Sequence, residues 1–342
     1  MVRAIVPRIA IGYPTDMADL ELILAAPRGY CAGVDRAVET VERALDLKGE
    51  PIYVRKQIVH NLHVVRDLEA RGAIFVDEVD EVPTGATIVF SAHGVAPKVH
   101  TDAAARSLDV IDATCPLVTK VHSEARRYAT RGYRMVLIGH ADHEEVVGTM
   151  GEAPEAITLV ETAADVATLN AYDASQPLAY LTQTTLSVDE TQGIIAALKE
   201  RFPWIQSPTK DDICYATSNR QAAVKALAAE VELVLVIGSA NSSNSCRLVE
   251  VARDAGVSSH LVEDESQIDP AWVEGLVRIG ITSGASAPER LVKSVIAWFE
   301  ARHGEVAISE LETVHEDVSF NLPRPIRRAL AVVAVETATK DI

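Results

Sequence analysis

The feature of this sequence that most constrains its fold is a unit that occurs three times. Each copy runs from a short strand-like segment into a cysteine and then into a helix with apolar residues at helical spacing. The cysteines are Cys31, Cys115 and Cys214, and the segments before them are 22–24, 110–111 and the less apolar 211–213. Repetition of one such unit predicts similar lobes that pack against one another.

The register of the repeat extends beyond the cysteines. The cysteines are separated by 84 and 99 residues, and three strands that end in acidic residues, marked by Val76, Val160 and Val262, are separated by 84 and 102. Strands alternate with helices, which indicates parallel sheets with ligand groups beyond the carboxyl ends of the strands. We therefore predict an α/β protein whose three pseudo-equivalent small lobes form a trefoil-like arrangement around one central site.

Each expected lobe contains one cysteine, and the prolines at 203 and 208 mark the connector before the third lobe. The two chain ends fall outside the repeat, and the C-terminal tail is expected to pack back on the body. The predicted division is an N-terminal extension 1–19, lobes 20–113, 114–211 and 212–302, and a tail 303–342.

Composition excludes several classes of function. Hydrophobic residues make up 48% of the 342, enough for a large core. The 49 acidic residues outnumber the 32 basic ones, and the net charge of −17 repels polyanions, so no nucleic-acid partner is expected. The longest apolar runs, such as 231–237, have the length of a strand, so no membrane partner is expected either. Because no signal peptide is recognisable, the predicted location is the cytoplasm.

The three repeated cysteines are suited to thiolate ligation because a helix N-terminus favours negative charge. A zinc site normally takes four ligands at short spacings such as C-x-x-C, which are absent here. A 4Fe-4S cluster also normally takes four thiolates, so three cysteines would leave one iron open, which favours catalysis over simple electron transfer. Cys246 could be a fourth ligand, but it lies outside the threefold register and a structural role is favoured.

Polar residues fall at matching positions in the loops and strand tips of the three units. They offer many hydrogen-bond donors with little fixed charge, which suits a phosphate or diphosphate group. The predicted binding residues are His60, His93, His143, Thr184, Ser242, Ser243, Asn244 and Ser286.

Glu145 is the best-placed acid to deliver protons, and the sequence alone does not separate it from its neighbour Glu144. A mononuclear metal site at His140, Asp142, His143 and Glu145 is an alternative, although it leaves the cysteines unexplained. Because nucleotide-binding and hydrolase signatures are absent, the electrons would come from a separate carrier.

Five segments carry a resemblance to a known family. They are PRGYCAGVDRA at 27–37, DATCPLV at 112–118, GTMG at 148–151, TQTTLS at 182–187 and NSSNS at 241–245. Together they resemble the 4-hydroxy-3-methylbut-2-enyl diphosphate reductases, which catalyse the last step of the methylerythritol phosphate route to isoprenoids. The resemblance covers residues 20 to 328 in the right order.

The resemblance implies reductive removal of the C4 hydroxyl from (E)-4-hydroxy-3-methylbut-2-enyl diphosphate, which yields isopentenyl and dimethylallyl diphosphates. It places one 4Fe-4S cluster with an open iron on the three repeated cysteines and the diphosphate in the His/Ser/Asn pocket. It also implies proton delivery by Glu145, a relay role for Thr184, and an external donor such as a ferredoxin or flavodoxin.

Two other functions are compatible with the residues alone. A redox-neutral 4Fe-4S hydro-lyase would act on a small anion without an electron donor. A non-enzymatic iron–sulfur sensor would need a partner surface rather than a closed polar pocket.

Overall fold

The structure, a computed structural model, describes residues 20–340, and the side chains of residues 20–334. The chain forms three separate parallel sheets, each covered by helices. This architecture confirms the predicted α/β class. The predicted extension 1–19 lies outside the described residues.

The first sheet has the strand order β3-β2-β4-β5. Its strands are β2 (Ile52–Arg55), β3 (Ala73–Val76), β4 (Thr87–Phe90) and β5 (Asp109–Asp112), and its helices are α1 (Ala32–Lys48), α2 (Leu62–Glu69) and α3 (Pro97–Ala105). Apolar side chains of α1 fall on one face and pack with β2 and β4 into one core.

The second sheet has the order β7-β6-β8. Its strands are β6 (Arg134–Ile138), β7 (Ile157–Val160) and β8 (Leu178–Thr182), and its helices are α4 (Pro116–Thr130), α5 (Glu144–Glu152), α6 (Ala163–Thr168) and α7 (Val188–Arg201). All five residues of β8 are buried, as expected for a parallel strand covered on both faces.

The third sheet has the order β10-β9-β11-β1-β12 and combines both ends of the described chain. Its strands are β1 (Glu21–Ala26), β9 (Leu233–Ile237), β10 (Ser258–Val262), β11 (Arg278–Ser283) and β12 (Ala307–Glu312). Its helices are α8 (Tyr215–Ala228), α9 (Ser243–Asp254), α10 (Pro270–Val273) and α11 (Glu289–His303). A last helix, α12 (Arg324–Lys340), packs through Ile326 on the core beside α1.

Two strands, β1 and β12, lie in the third sheet, although their place in the sequence suggested the first lobe for β1 and the tail for β12. β1 precedes the first cysteine, yet it pairs with β11 and β12, and β12 comes from the expected tail. β5, before Cys115, pairs with β4 of the first sheet. A strand of one lobe's sheet therefore leads directly into the cysteine helix of the next lobe, which ties neighbouring lobes together.

The predicted strand-like segment before Cys214 is wrong. Residues 211–213 form no strand, and only a single bridge joins Gln206 to Ala179 at the edge of the second sheet. Aspartate disfavours strands, and the Asp212 carboxylate is used instead to accept hydrogen bonds from the Thr182 backbone N–H and from Lys120.

Within the described part of the chain, no helix is both long enough and apolar enough to cross a membrane.

Candidate active site

The three repeated cysteines each occupy the N-cap position of a helix. Cys31 precedes α1, Cys115 precedes α4 and Cys214 precedes α8. All three line one central cavity, to which every lobe contributes residues. The first turns of these helices have backbone N–H groups with no acceptor within the helix, and they direct a partial positive charge toward the thiols.

Gly33 allows two of these thiols to approach each other. A Cβ atom at position 33 would lie 2.7 Å from the Cys115 Sγ and 3.8 Å from the Cys31 Sγ. Any larger residue would therefore occupy the space between the two sulfur atoms. On the third helix, Thr217 donates its backbone N–H to the Cys214 Sγ at 3.4 Å, and its hydroxyl lies 3.1 Å from the same sulfur.

Burial makes two of these thiols, those of Cys115 and Cys214, weak acids in the absence of a cation. It raises the pKa of Cys115 to about 12 and that of Cys214 to about 11, and the neighbouring Cys31 adds to both shifts. A metal ion bound at the sulfur would reverse this effect because its positive charge favours the thiolate. The arrangement therefore suits metal ligation better than nucleophilic catalysis.

The spacing of these thiols bears on the kind of metal group. Across residues 20–334, no three His, Cys, Asp or Glu side chains are close enough to share one metal ion. Ligands of a single tetrahedral zinc lie within about 4 Å of one another, given a bond of about 2.3 Å. In an iron–sulfur cluster each thiolate binds a different iron, so wider spacing does not conflict with a three-thiolate cluster.

Three histidines from two lobes form one wall of the cavity. The rings of His60 and His93 are stacked with centroids 3.9 Å apart, and His143 meets them edge-on at 5.4 and 5.8 Å. Burial lowers the pKa of His60 to about 4 and that of His143 to about 3, and it lowers the pKa of His93 well below the usual value. All three are therefore neutral at pH 7.

The protonated nitrogen of His143 follows from its partner. Its Nδ1 accepts the backbone N–H of Glu145 at 3.2 Å, so the proton of the neutral ring lies on Nε2. His60 has a buried Nδ1 with no hydrogen-bond partner among the described residues. Neutral rings of this kind can donate hydrogen bonds to an anion without a large fixed charge.

The third lobe contributes a serine and asparagine loop at the start of α9. The Ser242 side chain caps α9. The Ser286 hydroxyl lies 3.5 Å from the Ser242 hydroxyl and donates a hydrogen bond to the His60 carbonyl at 2.9 Å. Asn244 accepts the Ala285 N–H through Oδ1, which leaves its buried Nδ2 without a partner among the described residues. Ser243 lies across the cavity wall from Thr185, with 3.1 Å between their hydroxyl oxygens. Buried donors without partners at a helix N-terminus are typical of an anion site.

Glu145 is buried and bound to Thr184 by both carboxylate oxygens. It accepts the Thr184 backbone N–H at 2.6 Å and the Thr184 hydroxyl at 2.9 Å. Burial raises the pKa of Glu145 to about 7, and the charge of Asp212 adds to the shift, although the bonds from Thr184 oppose it. A carboxyl group with this pKa can hold a proton at neutral pH and release it, as a general acid must.

The structure places the neighbouring acid elsewhere. Glu144 does not line the cavity, and it pairs with Arg55 of the first lobe at 3.3 Å. His140, from the alternative metal site, contacts the Arg247 guanidinium at 2.6 Å. The first two residues of α5 therefore point in different directions, and only the second reaches the cavity.

The sequence analysis missed several residues of the site. Phe320, Tyr215 and Leu117 give the cavity an apolar wall, and Phe320 comes from the expected tail. Lys120 and Asp212 form a pair at 2.9 Å beside the Glu145 and Thr184 region. Thr217 was also missed, and it is the one of these residues that the sequence could have indicated, because it is the third residue of the helix that follows Cys214.

A family model described as LytB protein matches residues 22–300. The chain belongs to the LytB family. The 4-hydroxy-3-methylbut-2-enyl diphosphate reductase of Acidothermus cellulolyticus is 58% identical over 310 residues, 90% of this chain and 91% of that protein. The protein of that name from Mycolicibacterium paratuberculosis is 59% identical over 90% of this chain and 92% of its own length.

A solved structure agrees with the family assignment. The E-1-hydroxy-2-methyl-but-2-enyl-4-diphosphate reductase from Plasmodium falciparum has a TM-score of 0.90 and 38% identity, over 92% of this chain and 99% of that one. The resemblance predicted from five short segments is thereby confirmed. The LytB relatives are enzymes, and the same assignment therefore makes this chain an enzyme rather than a sensor without activity.

Proposed function

We propose that this LytB chain reduces (E)-4-hydroxy-3-methylbut-2-enyl diphosphate to isopentenyl and dimethylallyl diphosphates. The single observation that carries the proposal is that three thiols at helix N-cap positions, a buried proton donor and unpartnered anion-binding groups meet in one cavity among the described residues. The names of the relatives supply the substrate. Two electrons and two protons convert the C–OH group into C–H and water.

The group that fits the three thiols is one 4Fe-4S cluster held by Cys31, Cys115 and Cys214. The helix N-termini at these residues and the space left by Gly33 support this assignment. When bound, such a cluster supplies electrons and a Lewis-acidic iron that has no protein ligand. The thiols of the chain are free rather than paired, which is in keeping with a reducing compartment such as the cytoplasm.

The diphosphate is proposed to bind between the histidine wall and the α9 loop. His60, His143 and Asn244 donate hydrogen bonds, while Ser242, Ser243 and Ser286 add hydroxyl groups and His93 stacks behind His60. Because the donors come from all three lobes, binding there orients the carbon skeleton toward the cysteines and excludes water. An anion beside neutral histidines also favours their protonation, which strengthens the hydrogen bonds.

Glu145 is proposed to deliver a proton to the departing hydroxyl group. The Thr184 hydroxyl oxygen lies 2.9 Å from the Glu145 carboxyl group, so in the protonated acid it can accept the Glu145 proton while it donates its own hydrogen to a substrate oxygen in the cavity. Protonation converts hydroxide, a poor leaving group, into water. The low polarity around Glu145 raises its pKa to about 7, so a large share of the acid carries its proton at neutral pH.

The test is anaerobic purification, iron and sulfide analysis, and assay of the hydroxylated diphosphate with dithionite and methyl viologen. We expect four irons and four sulfides per chain and turnover that depends on the reductant. An intact cluster without turnover would overturn the proposal, and dehydration without reductant would establish a hydro-lyase instead.

Glu145→Gln supplies the residue-level test. It should retain the cluster and substrate affinity and lose about 10²- to 10⁴-fold in kcat, the usual contribution of a general acid. Glu144→Gln is the matched control, because this neighbour pairs with Arg55 outside the cavity. Near-normal turnover of Glu145→Gln would remove this acid from the mechanism.

A further inference from the structure

The segment between β12 and α12 covers the apolar side of the cavity. Phe320 lines the cavity together with the three cysteines and is only partly buried, so its ring reaches from the cavity to the protein surface. Val314 and Val318 of the same segment are 40% and 42% exposed. Arg220 and Asn219 of α8 hold this segment through Glu316. This side of the molecule therefore presents the Phe320 ring at the cavity and two exposed valines in the same segment.

Arginines follow directly after this segment. Arg324, Arg327 and Arg328 lie in the first turns of α12 and are exposed, and none of them has a carboxylate at ion-pair distance in the described part of the chain. Arg324 shares a cleft with Arg36 and Thr114. Arg36 donates hydrogen bonds to the carbonyls of residues 113 and 114, directly before Cys115.

Two lysines extend the positive charge toward the third cysteine. Lys120, on α4, donates to the backbone carbonyls of Lys210 and Asp211 at 2.5 and 2.9 Å. The Lys210 side chain itself is exposed. We call the six residues together the basic surface: Arg36, Lys120, Lys210, Arg324, Arg327 and Arg328.

The acids nearest to the basic surface do not cancel it. Asp212 is paired with Lys120, and the Asp112 carboxylate accepts the Thr114 N–H. Glu124 also lies 3.7 Å from Lys120 and pairs with Arg127, and Glu316 of the segment 314–320 pairs with Arg220.

Of the acids near the basic surface, Asp112, Asp211 and Asp317 have no lysine or arginine at ion-pair distance among the described residues. Five cations of the basic surface, all except Lys120, likewise have no carboxylate at that distance in the described part of the chain, whose full sequence has a net charge of −17. None of the six cations lines the central cavity, so they do not hold a diphosphate bound there.

We propose that the basic surface and the adjoining segment 314–320 are the docking site of an acidic one-electron carrier protein. This inference rests on the proposed function, because the carrier needs a cluster to reduce. Two reduced carriers would each transfer one electron and leave oxidised. The two electrons and two protons then convert the substrate C–OH group into C–H and water.

An acidic carrier fits this surface by charge and by the exposed apolar side chains beside it. Complementary charge steers two proteins into register and raises the rate of association, which suits a carrier that must bind twice per turnover. The exposed valines supply the small apolar centre that such transient contacts use. Phe320 then lies between the docked carrier and the thiols.

The test uses the full chain with its cluster and a double variant, Arg324→Glu with Arg328→Glu. Glutamate near a helix N-terminus is favourable, so α12 should remain folded. The matched control is Arg131→Glu with Lys199→Glu, which reverses two exposed charges at the C-terminal ends of α4 and α7. Neither residue has an ion-pair partner among the described residues, and both are remote from the cysteines. Iron content and thermal unfolding check that both variants are intact.

The probe is a flavodoxin, and its oxidised form is titrated into each protein by calorimetry. We expect the double variant to raise the Kd, and the KM for reduced flavodoxin, by about tenfold or more, since like charges then face each other. Turnover with methyl viologen should stay at the parent level, and the control should match the parent in every assay.

Equal flavodoxin affinity in the double variant and the parent would overturn the docking proposal. The proposal also fails if the arginines instead bind anionic phosphatidylglycerol vesicles while flavodoxin affinity is unchanged. Failure of the proposed function is a different result. It would show as no turnover with viologen in the parent, whereas calorimetry would still measure whether the basic surface binds the carrier.

Discussion

A single side chain, Glu145, determines the expected pH dependence of the reaction. Because burial raises the pKa of Glu145 to about 7, the acid is protonated below that pH and ionised above it. Since the proposed step needs the proton, kcat/KM should be level below about pH 7 and fall about tenfold per pH unit above it. A pH profile of the viologen-coupled assay measures this.

The Glu145→Gln variant serves as the control for this profile. Ionisation of the substrate diphosphate affects both proteins equally, so the break that disappears in the variant belongs to Glu145. A parent profile that stays level from about pH 6 to about pH 9 would contradict the assignment.

Cys246 provides a second test at this scale. It lies in the first turn of α9, does not line the cavity, and its Sγ donates a hydrogen bond to the Ala240 carbonyl at 3.2 Å. We expect Cys246→Ser to keep this hydrogen bond and the full iron content, whereas Cys115→Ser should lose the cluster. Loss of iron from the Cys246 variant would instead indicate that Cys246 is a fourth thiolate ligand of the cluster.

The choice between Glu144 and Glu145 shows what the sequence leaves open at a single position. Adjacent residues on a helix point about 100° apart. Which of the two enters the cavity depends on where α5 begins, and His143 determines that by capping the helix through its side chain. The sequence supplies both acids, and the packing of three lobes selects one of them.

At the scale of elements, Arg220 links the parts that hold the first and third cysteines. It is completely buried on α8 and donates hydrogen bonds to the carbonyls of Gly29 and Tyr30, just before Cys31. It also pairs with Glu316 of the segment that covers the cavity, at 3.1 Å. One guanidinium thus holds the segment before Cys31 and the segment around Glu316 against α8, which its planar set of donors makes possible.

Replacing this arginine should destabilise the fold and loosen the cluster. Arg220→Met leaves the Glu316 carboxylate with no cationic partner and only Asn219 as a donor, and it leaves the carbonyls of Gly29 and Tyr30 without the guanidinium, so the free energy of unfolding should fall by about 3–5 kcal/mol. Chemical denaturation of the iron-free chain measures that change, and absorbance under air measures cluster loss. Arg220→Lys should recover only part of the stability, since a single ammonium group reaches fewer acceptors. A loss below about 1 kcal/mol would contradict this role.

The elements that could be predicted are those with a strong local pattern. The α1 and α4 helices follow from apolar spacing after a cysteine, and the β9 strand follows from a continuous apolar run. The exchange of β1 into the third sheet could not be predicted, because nothing local distinguishes pairing with β11 from pairing with β2. The Lys120 and Asp212 pair joins residues 92 apart in sequence, which no periodicity reveals.

At the scale of the whole molecule, two opposing electrostatic effects act on an acidic carrier. The net charge of −17 repels it at long range, whereas the proposed basic surface attracts it at close range. Salt screens these two effects over different distances. The Debye length is about 30 Å at 0.01 M, about 8 Å at 0.15 M and about 3 Å at 1 M ionic strength.

Reduction by flavodoxin should therefore depend on ionic strength in a bell-shaped way. Added salt first removes the long-range repulsion and raises the rate, and higher salt then screens the local attraction and lowers it. Stopped-flow reduction of the cluster across this range of ionic strength measures the curve. The Arg324→Glu and Arg328→Glu variant should lose the falling part, because it has less local attraction to screen. A parent rate that only rises with salt would mean that net charge alone governs the encounter, and the basic surface would then have no part in it.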